Sequence, residues 1–133
     1  MSALLDTHVV LWWLAGGERL SGPARTAISA AAQLFVSAIS FWEVATLERR
    51  GRIVLDRPVR RWVADLLVDP RVELAPLAAE TAIWAGSELG DEFPGDPADR
   101  LIYATARSLH VPLVSKDERV RGFAAQDDVR VIW

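Results

Sequence analysis

Phe93-Pro94-Gly95-Asp96-Pro97-Ala98-Asp99-Arg100-Leu101-Ile102-Tyr103-Ala104-Thr105-Ala106-Arg107 reads as the start of a helix with an unusual density of acid. Asp96 stands where an N-cap belongs. Pro97 follows at the first helical position, where its missing N–H costs nothing. Leu101, Ile102, Thr105, Ala106 and Leu109 then recur at helical spacing and define a buried stripe. Asp99, in the first turn, lies three, four and seven residues before Ile102, Tyr103 and Ala106, on the edge of that stripe. Arg100 and Arg107 fall on a polar side. A carboxylate aimed at the mouth of a core is costly unless something pairs with it. Capping and the helix dipole account for either acid alone; the placement of three more acids changes the reading.

Working outward, Ala3-Leu4-Leu5 is a short apolar run ending at Asp6, and His8 to Leu14 reads as a short helix closed by Gly16-Gly17. Ser21-Gly22-Pro23 opens a second helix through Gln33. Leu34 to Ser37 is a second strand, and Ser40 caps a third helix through Arg50. Pro58 starts a fourth helix, with Val59, Trp62, Val63, Leu66 and Leu67 at helical spacing, stopped by Asp69-Pro70. Val72 to Ala75 is a weak strand, and Ala78 to Leu89 a fifth helix with Ile83, Gly86 and Leu89 on one side. After the acidic helix come a strand over Val111–Ser115, a short helix from Asp117 to Phe123 and a last strand over Val129–Trp133. Short apolar strands alternating with helices predict a mainly parallel sheet covered on both faces, an α/β chain. The ligand crevice of such a sheet lies beyond the carboxyl ends of its strands.

Four acids converge on that edge. Asp6 follows the first strand, Glu43 falls in the first turn of the third helix, Asp99 opens the acidic helix, and Asp117 follows the strand Val111–Ser115. Each has a plain structural role available: a cap at Asp6, a Ser40–Glu43 capping box, a dipole contact at Asp117. Together they repel, and stability alone does not gather four carboxylates without a cation or a raised pKa. There is no cysteine, and the histidines are His8 and His110. The donor set is therefore all oxygen, which suits Mg²⁺ or Mn²⁺ rather than zinc or copper. Such ions orient a phosphodiester, activate water and neutralise the leaving oxygen.

Leu4-Leu5-Asp6-Thr7, Ser37 to Val44, Asp96 to Ala106 and Leu113-Val114-Ser115-Lys116-Asp117 resemble, in order, the motifs of PIN-domain ribonucleases, most closely the VapC-type toxins of bacterial toxin–antitoxin pairs. The resemblance spans essentially the whole chain. It implies a three-layer α/β/α fold with a central parallel sheet. It also implies RNA cleavage dependent on Mg²⁺ or Mn²⁺, with a metal-activated water held by the carboxylates, and an antitoxin protein that blocks the site. By position, Asp6, Glu43, Asp99 and Asp117 match the acidic quartet, with Asp6, Asp99 and Asp117 as metal ligands. Ser37 and Ser115 match supporting hydroxyl positions, and Asp96 belongs to an Asp-Pro-x-Asp-Arg variant of the third motif. Tyr103 departs from the small residue expected there.

Residues 1–133 are expected to form one domain of this kind. No basic region precedes the first apolar run, and Val9–Leu14 is too short to cross a membrane, so the expected setting is cytoplasmic. The formal charge of −3 argues against a generic basic nucleic-acid binder, but arginines cluster after the third helix. Arg49, Arg50 and Arg52 are the candidates for holding RNA phosphates, whereas Arg60 and Arg61 fall opposite Trp62 and Val63. Six tryptophans, among them Trp12-Trp13 and Trp42, exceed what one core takes easily, which predicts a homodimer. Two phosphotransfer folds fail: haloacid-dehalogenase phosphatases need an Asp where His8 stands, and receiver domains need an acceptor Asp absent from Val72–Leu77. The competing reading is a PIN-like domain that binds RNA or a partner without cutting.

Overall fold

The computed structural model describes residues 1–133. The elements run β1 (Ser2–Leu5), α1 (Thr7–Leu14), α2 (Gly22–Ala30), β2 (Gln33–Ser37), α3 (Ala38–Arg49), α4 (Val59–Val68), β3 (Val72–Ala75), α5 (Ala79–Ser87), α6 (Pro97–Leu109), β4 (Leu113–Val114), α7 (Glu118–Ala124) and β5 (Val131–Ile132). The five strands form one sheet in the order β3-β2-β1-β4-β5, and every pairing is parallel. The first strand is thus central. Its Ala3, Leu4 and Leu5 are fully buried, as a strand covered on both faces must be.

Side chains of a strand alternate between faces, and the core divides accordingly. Ala3 and Leu5 pack with Val9, Val36, Ala24 and Ile28 on one side, joined by Trp62 and Leu66 of α4. Leu4 packs with Leu113, Ile102, Tyr103 and Ala106 on the other. Two cores separated by one sheet make three layers, as predicted. Each large aliphatic side chain so buried contributes about 1.5–3 kcal/mol.

Several local expectations shift. The second helix stops at Ala30, and Gln33 instead opens β2, paired with Ser2. Leu109 and Ile83 do not join the core; both are exposed, because α5 buries Thr81 and Ala85 and α6 turns over at His110. His110 takes the left-handed conformation (φ 54°) that ends the helix. Tyr103 fits its site fully: its ring is buried against Phe93 and Phe123, and its hydroxyl donates to Asp127. No helix is long and apolar enough to cross a membrane.

Candidate active site

The carboxyl ends of β1, β2 and β4 carry Asp6, Ser37 and Ser115. Asp6 caps α1, and its Oδ1 accepts from the Thr7 amide at 2.8 Å. Its Oδ2 accepts from the Ser115 hydroxyl at 2.7 Å, and both residues are buried. That bond joins the first and fourth strands. Ser115 Oγ in turn accepts from the Asp117 amide at 3.2 Å, which carries the link into the start of α7.

Asp117 is turned towards its own helix. Its Oδ1 accepts from the Arg119 and Val120 amides, and Oδ2 lies 3.4 Å from the Arg119 guanidinium. Burial pushes its carboxyl up, but these bonds outweigh burial and hold it below the ordinary value.

Asp96 and Asp99 form a reciprocal capping box. Asp96 Oδ1 accepts from the Asp99 amide at 2.8 Å, and Asp99 Oδ2 accepts from the Asp96 amide at 3.2 Å. No protein donor reaches the other oxygen of Asp99. Gly95 makes room: a Cβ there would lie 2.5 Å from the Asp99 Cβ and 2.6 Å from Phe93. Burial first, then the charges of Asp6 and Asp96, push the Asp99 carboxyl up to about 7, with Glu43 adding to them.

The expected Ser40–Glu43 capping box does not form. Ser37, not Ser40, caps α3, accepting from the Ile39 amide at 3.1 Å. The helix therefore starts earlier, and Glu43 lies in its second turn rather than its first. Glu43 Oε1 accepts from the Thr7 hydroxyl at 2.6 Å. Ser40, fully buried, lies 2.9 Å from the same hydroxyl. Thr7 has one proton, and the carboxylate is the stronger acceptor, so the chain runs from Ser40 to Thr7 to Glu43. Burial raises the Glu43 carboxyl, the Thr7 bond lowers it, and Asp6 and Asp96 raise it further.

The motifs assign no role to Thr7 or His8. The Lys116 amide donates to His8 Nε2 at 3.1 Å, which leaves the ring proton on Nδ1, 3.8 Å from Asp6 Oδ2. His8 thus pins the β4–α7 turn to α1. Its one signal in the sequence is its offset, two residues past Asp6 on a helix.

Glu43 and Asp99 each feel the charges of Asp6 and Asp96, Asp99 also feels Glu43, and Ser115 ties Asp117 to Asp6. No lysine or arginine pairs with Asp6, Glu43 or Asp99. The carboxylates stay apart on their own donors, and no three of them close on a common point. Arg49, Arg50 and Arg52 are exposed and unpaired, unlike Arg57 and Arg61, which hold Asp65. Arg49 stands six residues beyond Glu43, about 9 Å along the helix.

Comparison with known proteins agrees with this fold. The family model described as "PIN domain" matches residues 3–126. Ribonuclease VapC22 of Mycobacterium tuberculosis is 47% identical over 121 residues, covering 90% of each chain. Among solved structures, a toxin–antitoxin complex from Klebsiella pneumoniae superposes with a TM-score of 0.65 at 21% identity, covering 96% of this chain and 94% of that one. Mycobacterium tuberculosis VapC20, described as a sarcin–ricin-loop-cleaving toxin, gives 0.65 at 18% identity over 96% and 98%. Family model, relative and fold agree over nearly the whole length, and the chain belongs to the PIN-domain family, in its VapC group.

Proposed function

We propose that this chain is a divalent-metal-dependent ribonuclease, the toxin of a toxin–antitoxin pair, with Asp6, Glu43, Asp99 and Asp117 as its acidic machinery. The observation that carries this reading is Asp99. Its carboxyl, half-buried beside Asp6, Asp96 and Glu43, is raised to about 7 with no protein cation at hand. Folding gains nothing from that repulsion; a cation relieves it.

The donor set fits Mg²⁺ or Mn²⁺. Mg²⁺ keeps several waters and is held through one or two carboxylates, so the spacing of these acids is compatible with it. Asp6 and the donor-free oxygen of Asp99 are the ligands nearest readiness, and Asp117 would have to release its cap to join them. Bound there, the ion supplies charge neutralisation at the phosphodiester and a water acidic enough to serve as nucleophile at neutral pH. Ser115 and Thr7 orient Asp6 and Glu43, and Asp96 with Gly95 aims Asp99. Ser37 acts at one remove, by setting where α3 begins. Arg49, Arg50 and Arg52 hold phosphates of RNA further along the substrate.

The fold likeness to a toxin–antitoxin complex supports an antitoxin partner. An arginine of that partner is the natural blocker of an uncompensated carboxylate cluster. Trp42, 61% exposed on α3, supports a homodimer, and a monomer by light scattering at micromolar concentration would count against it. A cytoplasmic setting belongs to the same reading.

The test uses purified protein and a mixed RNA pool. Cleavage is expected in Mg²⁺ or Mn²⁺, none in EDTA, and about a thousandfold less with Asp6→Asn. Cleavage that persists in EDTA overturns the metal assignment. RNA binding with no cleavage under any metal favours a non-catalytic PIN-like domain.

A further inference from the structure

A shallow, open depression of about 330 Å³ between α1 and the β4–α7 turn is lined by His8, Trp12, Lys116, Asp117 and Arg119. It is at the small end for ligand clefts, about 300–1,000 Å³. It shares walls with the carboxylates, through Asp117 itself and through His8, whose Nδ1 lies 3.8 Å from Asp6. Trp12 is half-buried and held in place: its ring centroid is 5.8 Å from that of Trp133 and 5.0 Å from that of His8.

Two cations rest on this indole. The Arg19 guanidinium carbon lies 4.6 Å from the ring centroid, and Lys116 Nζ lies 5.4 Å from it. Neither side chain pairs with a carboxylate, in a chain with 18 acids against 15 bases. Lys116 stands next to Asp117 in sequence and still lies over the ring. Arg19 and Lys116 are both exposed, and an exposed cation–π contact is worth little, about 0.5–1 kcal/mol.

A fixed aromatic face flanked by cations is what single-stranded nucleic acid uses: bases stack, phosphates take the charge. The need for cations is acute here. A polyanion approaching four carboxylates is repelled, and the chain's net charge offers no help. A base can take the place of the cations over Trp12, and each displaced cation then meets a phosphate.

We propose that this depression is a nucleotide subsite of the RNA-cleaving site. One base beside the scissile bond stacks on Trp12, while Lys116 and Arg19 leave the ring for neighbouring phosphates. The proposal rests on the ribonuclease reading above. His8 is a positioning residue, since its bond from the Lys116 amide fixes the turn that carries Lys116.

The experiment measures binding of a short labelled single-stranded RNA in EDTA over a range of salt, and cleavage in Mg²⁺. Trp12→Leu should weaken binding about tenfold with the salt slope unchanged, and raise KM more than it lowers kcat. Trp12→Phe should keep most of the affinity. The double variant Arg19→Gln/Lys116→Gln should lower the slope by roughly 0.7 for each phosphate no longer neutralised. Because Trp12 packs on Trp133, melts accompany each variant. If Trp12→Leu fails to fold, Trp12→Phe and the surface double variant decide. An unchanged slope in the double variant overturns the subsite. So does full affinity in folded Trp12→Leu. Wild-type protein that neither binds nor cuts RNA fails the ribonuclease reading instead, whereas a cutting wild type with unaffected variants sinks the subsite alone.

Discussion

Two helices begin at the edge of the sheet with nearly the same four-residue signature, and only one uses it as a cap. At α6, Asp96 and Asp99 exchange hydrogen bonds with each other's amides. At α3, Ser40 and Glu43 stand at the same spacing, but the helix has already started at Ser37. Ser40 is then inside the first turn, and Glu43 bonds Thr7 on another element. Asp99 is aimed by its own helix, whereas Glu43 is aimed by the tertiary fold. A helix start is set by where the preceding strand releases the chain: β2 pairs through Ser37, which aligns with Ala75 of β3.

The largest effect should come from neutralising an acid of either kind. A bound metal's charge stabilisation is worth several kcal/mol, and each 1.36 kcal/mol is tenfold in rate. Asp6→Asn and Asp99→Asn should therefore lower cleavage by about a thousandfold while melting at or above the wild-type temperature in metal-free buffer. Wild-type cleavage by either variant would falsify the site.

Next comes the tertiary arm. Thr7→Val removes the donor to Glu43 and strands Ser40, at a cost of about 1–3 kcal/mol, and cleavage should fall about 10–100-fold as the carboxylate loses its aim. If activity holds at the wild-type rate, Glu43 needs no such support.

The local arm should respond more mildly. Asp96→Ala costs about 1 kcal/mol for a lost cap, and Asp96→Ser, which also caps, recovers most of it. Melts and cleavage rates on both sharpen the contrast. An Asp96→Ser protein as inactive as Asp99→Asn makes Asp96 a ligand in its own right.

The smallest effect is on stability against pH without metal. Folding raises the Asp99 carboxyl from 3.8 to about 7, so between those values the folded chain holds a proton that the unfolded chain has lost. Stability therefore falls as pH rises through that window, and Glu43, also raised, acts in the same direction. Asp117, lowered, acts oppositely, and its contribution is lost as pH falls below its ordinary range. Thermal melts across pH in EDTA should show the decline, saturating Mg²⁺ should flatten it, and Asp6→Asn should shrink it. An undiminished decline in Asp6→Asn would take the Asp6 charge out of the cause and leave burial with Asp96 and Glu43.

What the sequence makes legible follows the same division. Asp96 is readable as a cap because Pro97 fixes the register beside it, and the alternation of short apolar runs with helices gives the parallel sheet. The start of α3 is not readable, since Ser37 and Ser40 are equally good caps and strand pairing chooses between them. The Ser40–Thr7–Glu43 chain and the His8–Lys116 bond join residues 33 or more positions apart, which no local pattern encodes. Gly95 reads as ordinary loop punctuation; only the position of Asp99 shows why a side chain has no room there.

The hydrogen bond from Ser115 to Asp6 closes a loop of 109 residues, and this gives the protein a temporal property. During synthesis Asp6 is made 109 residues before Ser115, so β4, which flanks β1 on the side away from β2, arrives long after β1 and β2. Until then the central strand has one unpaired edge, and Asp6 lacks the hydroxyl that orients it. Contacts so distant in sequence form late and slowly. A nascent chain that carries Asp6, Glu43 and Asp99 but not yet Ser115 is therefore an unfinished nuclease, and its carboxylate site is completed only once β4 has been made.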